Sequence, residues 1–172
     1  MGGDIILVIV IIILLFYVAV VTIMAANNCY RSLIRGRLVA ARNILTITGA
    51  TLLSLAVLSL IILPIMLYSK NNMVVNSSLA YINILTVASV ILFILLLASY
   101  FLLDRWTSDG NVHAASVQII SALFTLIGTI ILLAVMIITI YRHPLLANDP
   151  SPAPPPTTAV FTNNLSPTNP LI

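Results

Sequence analysis

Three hydroxyl side chains recur every four residues in an otherwise apolar stretch, and they are the first candidates for chemistry in this sequence. They are Ser121, Thr125 and Thr129, and Gly128 lies beside the last of them. Residues four apart share one face of an α-helix. Small and hydroxyl residues on one face let two membrane helices approach closely and form hydrogen bonds with each other. The series therefore predicts a helix-packing face, and the same hydroxyls would also suit the lining of a polar path.

Residue types that ligate metals or act as nucleophiles are few and far apart. His113 and His143 would lie about 45 Å apart on one helix, so they cannot share a metal ion. Cys29 is the single cysteine of the sequence and has no histidine at helical spacing. We therefore predict no catalytic, cofactor-binding or metal site. Cys29 adjoins an apolar run, which makes it a candidate for S-palmitoylation.

The distribution of charge identifies the class of protein. The chain is 61% hydrophobic and 6% charged, whereas soluble domains carry about a quarter charged residues. Charge within a membrane is costly and is kept for catalysis or transport. All seven basic and all four acidic residues lie outside the apolar runs or at their ends. These observations predict a membrane protein that is not an enzyme, and so few cations argue against nucleic-acid binding.

Long apolar runs predict the elements that position these residues. Each run is long enough to cross a hydrocarbon layer of about 30 Å as a helix. A helix is also the only single segment that satisfies its own backbone in lipid. The runs cover residues 5–26, 44–68, 79–103 and 112–141. The predicted fold is an all-α membrane protein, with four transmembrane helices in an antiparallel bundle over residues 1–146.

A short basic segment separates the first two runs. It contains four of the seven cations, namely Arg31, Arg35, Arg37 and Arg42. The positive-inside rule places segment 31–42 in the cytoplasm, and four crossings then put both termini on the opposite side. These arginines would also contact anionic lipid headgroups. The pattern suits a cellular membrane and the inner membrane of a virus equally.

The composition changes beyond the fourth run. Residues 147–172 are rich in Pro, Asn and Thr, which predicts an extended, polyproline-type tail. Isolated apolar residues punctuate it, and we predict that they contact a partner protein. They are Val160, Phe161, Leu165, Leu171 and Ile172.

Together these features predict a non-enzymatic structural or assembly protein of a membrane. It would anchor a larger assembly, for example a virion shell over an internal membrane or an accessory subunit of a membrane complex, with the tail as the partner contact. Its partners would be the lipid bilayer and proteins of that assembly. The alternative is an oligomeric channel or carrier for a small uncharged solute, lined by the hydroxyl series of the fourth helix.

Overall fold

Four long helices make up the part of the chain that the structure describes. The computed structural model describes residues 2–32, 37–68, 72–103 and 109–147. Almost all of these residues are helical, in α1 (Gly2–Arg31), α2 (Arg37–Tyr68), α3 (Asn72–Leu102) and α4 (Gly110–Ala147). Each helix contains a stretch long and apolar enough to cross a membrane. The prediction of an all-helical fold with four long apolar helices that could span a membrane is confirmed. The predicted tail, residues 147–172, lies outside the described residues except for Ala147.

The helices extend beyond the apolar runs that predicted them. α1 continues past Ala26 to Arg31, and α2 already begins at Arg37. Much of the basic segment is therefore helical. Pro64 lies inside α2, which continues to Tyr68. A helix satisfies its own backbone hydrogen bonds in water and in lipid alike, so the end of an apolar run does not have to end the helix.

The buried residues of every helix repeat at intervals of seven. One such series runs along each helix, and its members are all nearly inaccessible to solvent. The series are Val8, Leu15, Thr22 and Cys29 in α1; Leu38, Leu45, Leu52 and Ser59 in α2; Ile82, Ser89, Leu96 and Leu103 at and beyond α3; and Val112, Ile119, Leu126 and Leu133 in α4. A seven-residue repeat is slightly shorter than two ideal helical turns. Helices that keep it in contact coil around each other with a left-handed twist.

Contacts between the helices form a ring. α1 contacts α2 and α4, and α3 contacts the same two helices, whereas within the described residues α1 does not contact α3 and α2 does not contact α4. Two clusters of buried side chains fill the interior. The larger joins the C-terminal halves of α1 and α3 to the N-terminal halves of α2 and α4, and the smaller joins the opposite halves.

The outward faces of the helices are also apolar. Ile6, Ile47, Phe101 and Phe124 are among many large hydrophobic side chains that are well exposed. A water-soluble protein of this size rarely exposes so many large apolar side chains. Such a surface is suited to contact with lipid chains, in agreement with the four candidate membrane spans.

Candidate functional site

The hydroxyl series of α4 is satisfied mainly within its own helix. Thr125 donates to the carbonyl of Ser121 at 2.8 Å, and Thr129 donates to the carbonyl of Thr125 at 2.9 Å. Thr129 is fully buried. The Ser121 hydroxyl lies 2.9 Å from the hydroxyl of Tyr17 and so joins α4 to α1. One member of the predicted packing series thus contacts another helix through its hydroxyl, while the other two bond back to α4.

Gly49 and Gly128, which both lie well inside a helix, occupy different surroundings. A Cβ placed on Gly128 would meet nothing within 4 Å, so the backbone makes no close approach there. A Cβ placed on Gly49 would lie 2.8 Å from Cγ1 of Ile23. At Gly49, therefore, α1 and α2 approach each other closely. In the sequence, this close approach is indicated only by two adjacent small residues, Gly49 and Ala50, beside Thr48. The small residues around Gly128 indicate a close approach just as strongly.

A set of polar contacts joins α1 to α4 near one end of the bundle. The side-chain amide of Asn28 donates to Oε1 of Gln118 at 2.9 Å. Just beyond α1, the hydroxyl of Ser32 donates to Oδ2 of Asp109 at 2.5 Å, and the backbone N–H of Asn111 donates to Oδ1 at 2.9 Å. The Ser32 hydroxyl and then the Asn111 N–H lower the pKa of the Asp109 carboxyl below its ordinary value of 3.8, because both donate to the charged form.

The hydroxyl contact between α2 and α3 lies in the other half of the bundle. Ser59 donates to the carbonyl of Leu55 at 2.7 Å, and its oxygen lies 2.9 Å from the hydroxyl of Tyr81. This contact, like those between α1 and α4, joins two neighbouring helices. Interhelical hydrogen bonds of this type contribute about 0.6 kcal/mol on average in membrane proteins.

Among the described residues, most buried hydroxyls donate to an acceptor in their own helix, and two have no hydrogen-bond partner. Thr22, Ser89 and Ser99 each donate to the carbonyl four residues earlier. Oγ1 of Thr48 and Oγ of Ser116 are buried without a hydrogen-bond partner in the part of the chain that the structure describes. The free energy of each of these two hydroxyls is raised by the loss of its water contacts.

Cys29 and the histidines are placed apart from one another. Cys29 is 4% exposed and belongs to the larger buried cluster. Cys29 is therefore enclosed by other side chains of the bundle, and its S-palmitoylation stays a prediction. His113 is exposed at the start of α4, and the side chain of His143 lies outside those described. Among the described residues, no three His, Cys, Asp or Glu side chains come together as a metal would require.

The predicted basic positions differ in their surroundings. Arg31 is exposed at the end of α1, whereas Arg42 is half-buried on the second turn of α2. The guanidinium carbon of Arg42 lies 5.6 Å from the ring centroid of Tyr30. Arg37 begins α2, and Arg35 lies outside the described residues.

An open groove lies beside Arg42, between α1 and α2. Its volume is about 670 Å³. The sequence does not indicate this groove, because the residues that line it come from two helices and only their packing brings them together. Both Tyr30 and Arg42 line this groove.

The tail residues predicted to contact a partner, Val160, Phe161, Leu165, Leu171 and Ile172, lie outside the described residues. The contact between the tail and a partner therefore stays a prediction. Comparison with protein-family models, curated proteins and solved structures gives no significant match to this chain.

Proposed function

We propose that this protein is a non-enzymatic membrane scaffold that anchors a larger assembly through its C-terminal tail. The proposal rests on one observation, namely where the buried hydroxyl groups of the bundle donate their hydrogen bonds. Buried hydroxyls such as Thr22, Ser89 and Thr129 donate to carbonyls of their own helices. They therefore contribute to the interior as small packing groups. Polar groups that line a solute path would instead leave donors and acceptors facing a common opening.

The interhelical contacts support an antiparallel order of the helices. Asn28 of α1 contacts Gln118, and Ser32, four residues further along the chain, contacts Asp109, which precedes Gln118 by nine residues. A later residue of α1 and the chain just beyond it therefore contacts an earlier residue of the chain that leads into and through α4, as in two helices that run in opposite directions. Adjacent crossings that reverse direction need only short connections. With Arg31 and Arg42 near the connection between α1 and α2, the positive-inside rule supports a cytoplasmic location for this end.

Protection of the tail from proteolysis tests the proposed anchoring. Chymotrypsin cuts after aromatic residues, and Phe161 is a target within the tail. The protein is digested in its native membrane or particle and, in parallel, after purification in detergent. Membranes are first opened by freezing and thawing, so that the enzyme reaches both faces. We expect cleavage at Phe161 only after purification, because the partner then no longer covers the tail.

A Phe161→Ala variant is the matched control, since its tail must lose this cleavage product in the purified state. Equal cleavage of the native and purified protein at Phe161 would show that nothing covers the tail. That result would refute anchoring through residues 147–172, and solute-flux measurements on the bundle would then be the next experiment.

A further inference from the structure

The groove between α1 and α2 has a polar end and an apolar end. Tyr30, Arg42 and Asn43 lie at the end nearest the connection between the two helices, and Ile23 and Ile47 lie toward the middle of the bundle. Arg42 and Ile47 are five residues apart, or about 7.5 Å along the helix axis. The lining of the groove therefore changes from cationic to apolar over about the distance that separates a lipid headgroup from the start of its acyl chains.

The guanidinium of Arg42 is held in a defined position at the polar end. It lies over the Tyr30 ring at 5.6 Å, within the range of a cation–π contact. Its Nη2 and Nε atoms donate to Oδ1 of Asn43 at 3.2 and 3.4 Å. A guanidinium carries five N–H groups. Within the described ranges, the remaining N–H groups of Arg42 have no acceptor, and no carboxylate forms an ion pair with it.

The apolar end continues into the surface that faces lipid. Ile23 is 41% exposed and Ile47 is 65% exposed. A hydrocarbon chain that lay against both side chains would extend along the outer surface of the bundle. The volume of about 670 Å³ is within the range of small-molecule sites, roughly 300–1,000 Å³.

We propose that this groove binds one anionic phospholipid, with its phosphate at Arg42 and an acyl chain against Ile23 and Ile47. A cation that forms no ion pair within the described residues favours an anion, and the adjoining apolar wall favours an anion that carries a hydrocarbon chain. The amide of Asn27, which also lines the groove, offers a further donor to the headgroup. A zwitterionic lipid binds less well here because it brings its own cation beside Arg42. The site is independent of the tail and of any partner that the tail contacts.

Native mass spectrometry of the full chain in detergent measures this binding directly. Phosphatidylglycerol is titrated against phosphatidylcholine with the same acyl chains, and inorganic phosphate is added in a third series. We expect the first phosphatidylglycerol to bind more tightly than phosphatidylcholine. Arg42→Gln is expected to weaken it about tenfold, the effect of losing one charge-assisted hydrogen bond. Phosphate at the concentration of the lipid is expected not to displace it, because phosphate lacks the acyl chain.

Two further variants separate the groove from general surface charge. Arg31→Gln removes an exposed cation from the same end of the bundle, and we expect a much smaller loss because exposed charges are screened. Asn27→Trp fills the groove and retains every cation, and it is expected to weaken the binding as much as Arg42→Gln. Circular dichroism shows whether each variant keeps its helices.

The proposal is overturned by equal affinity for the two lipids, by equal losses in Arg31→Gln and Arg42→Gln, or by undiminished binding in a helical Asn27→Trp variant. Displacement by inorganic phosphate would also overturn it, since the ligand would then be a free anion rather than a lipid.

Discussion

Gly49 and Gly128 offer a direct test of the packing between α1 and α2, because the same substitution meets different neighbours at the two positions. At Gly128 a new Cβ has open space around it, whereas at Gly49 it would lie 2.8 Å from Cγ1 of Ile23. Real Cβ atoms do not approach another carbon so closely, so Gly49→Ala forces Ile23 or the two helices to move. The perturbation is therefore one methyl group, inserted either into a contact or into free space.

The expected magnitudes follow from two opposing effects. Alanine is favoured over glycine within a helix by about 1 kcal/mol, and this gain applies at both positions. Inserting a methyl group into a packed contact costs about 1–3 kcal/mol, and this cost applies only at Gly49. We expect Gly128→Ala to raise the free energy of unfolding by up to about 1 kcal/mol. Gly49→Ala should change it by between about 0 and −2 kcal/mol.

Unfolding by SDS in mixed micelles, followed by far-UV circular dichroism, measures both variants under one condition. Ile23→Ala supplies the double-mutant test, because it removes Cγ1, the atom nearest to the new methyl group. Combined with Gly49→Ala, it should recover most of the lost stability. A Gly49→Ala variant as stable as Gly128→Ala would refute the close approach at this position, as would a double variant that recovers nothing.

Three further predictions concern the polar groups of the bundle. Thr48→Val should leave the free energy of unfolding unchanged or raise it by up to about 1 kcal/mol in the same SDS assay, because the buried hydroxyl has no partner among the described residues. A fall in the free energy of unfolding of more than about 1 kcal/mol would show that the hydroxyl has a hydrogen-bond partner. Asn28→Leu should cost about 1 kcal/mol by leaving Gln118 without its partner, and Gln118→Leu in the same chain should restore part of the loss; additive losses would contradict a direct contact. The pKa of Asp109 is lowered in the folded protein, so its contribution to stability is present above the ordinary value of 3.8 and is lost as the pH falls through the folded-state pKa. Ser32→Ala brings that pKa closer to its ordinary value, so the midpoint of unfolding should fall less between about pH 6 and about pH 2 than in the unaltered chain; an equal fall in both would show that Ser32 does not stabilise the charged form.

Some of the candidate residues could be located from the sequence, and others could not. The concentration of arginine between the first two helices was evident, and so was the i, i+4 series Ser121, Thr125 and Thr129. The sequence did not distinguish Arg42, which lies in a groove against Tyr30, from Arg31, which is exposed. That difference depends on which side of each helix faces its neighbour.

The sequence by itself determined that the described part of the chain forms four long apolar helices. The apolar runs are long and free of charge, which suits helices that cross a membrane, because a helix is the single segment that satisfies its own backbone in lipid. The same composition does not show which residues face the interior of the bundle. Ile119 is fully buried and the adjacent Ile120 is 37% exposed, although the two side chains are chemically identical.

Only the tertiary structure decided which residues form the interior. A soluble helix marks its inner face by hydrophobicity, whereas a helix in lipid is apolar on both faces, so the pattern of residue types carries little information about orientation. The packing of neighbouring helices decides which residues face the interior. The seven-residue repeat of buried positions, the close approach at Gly49 and the groove beside Arg42 all arise from the way neighbouring helices fit together.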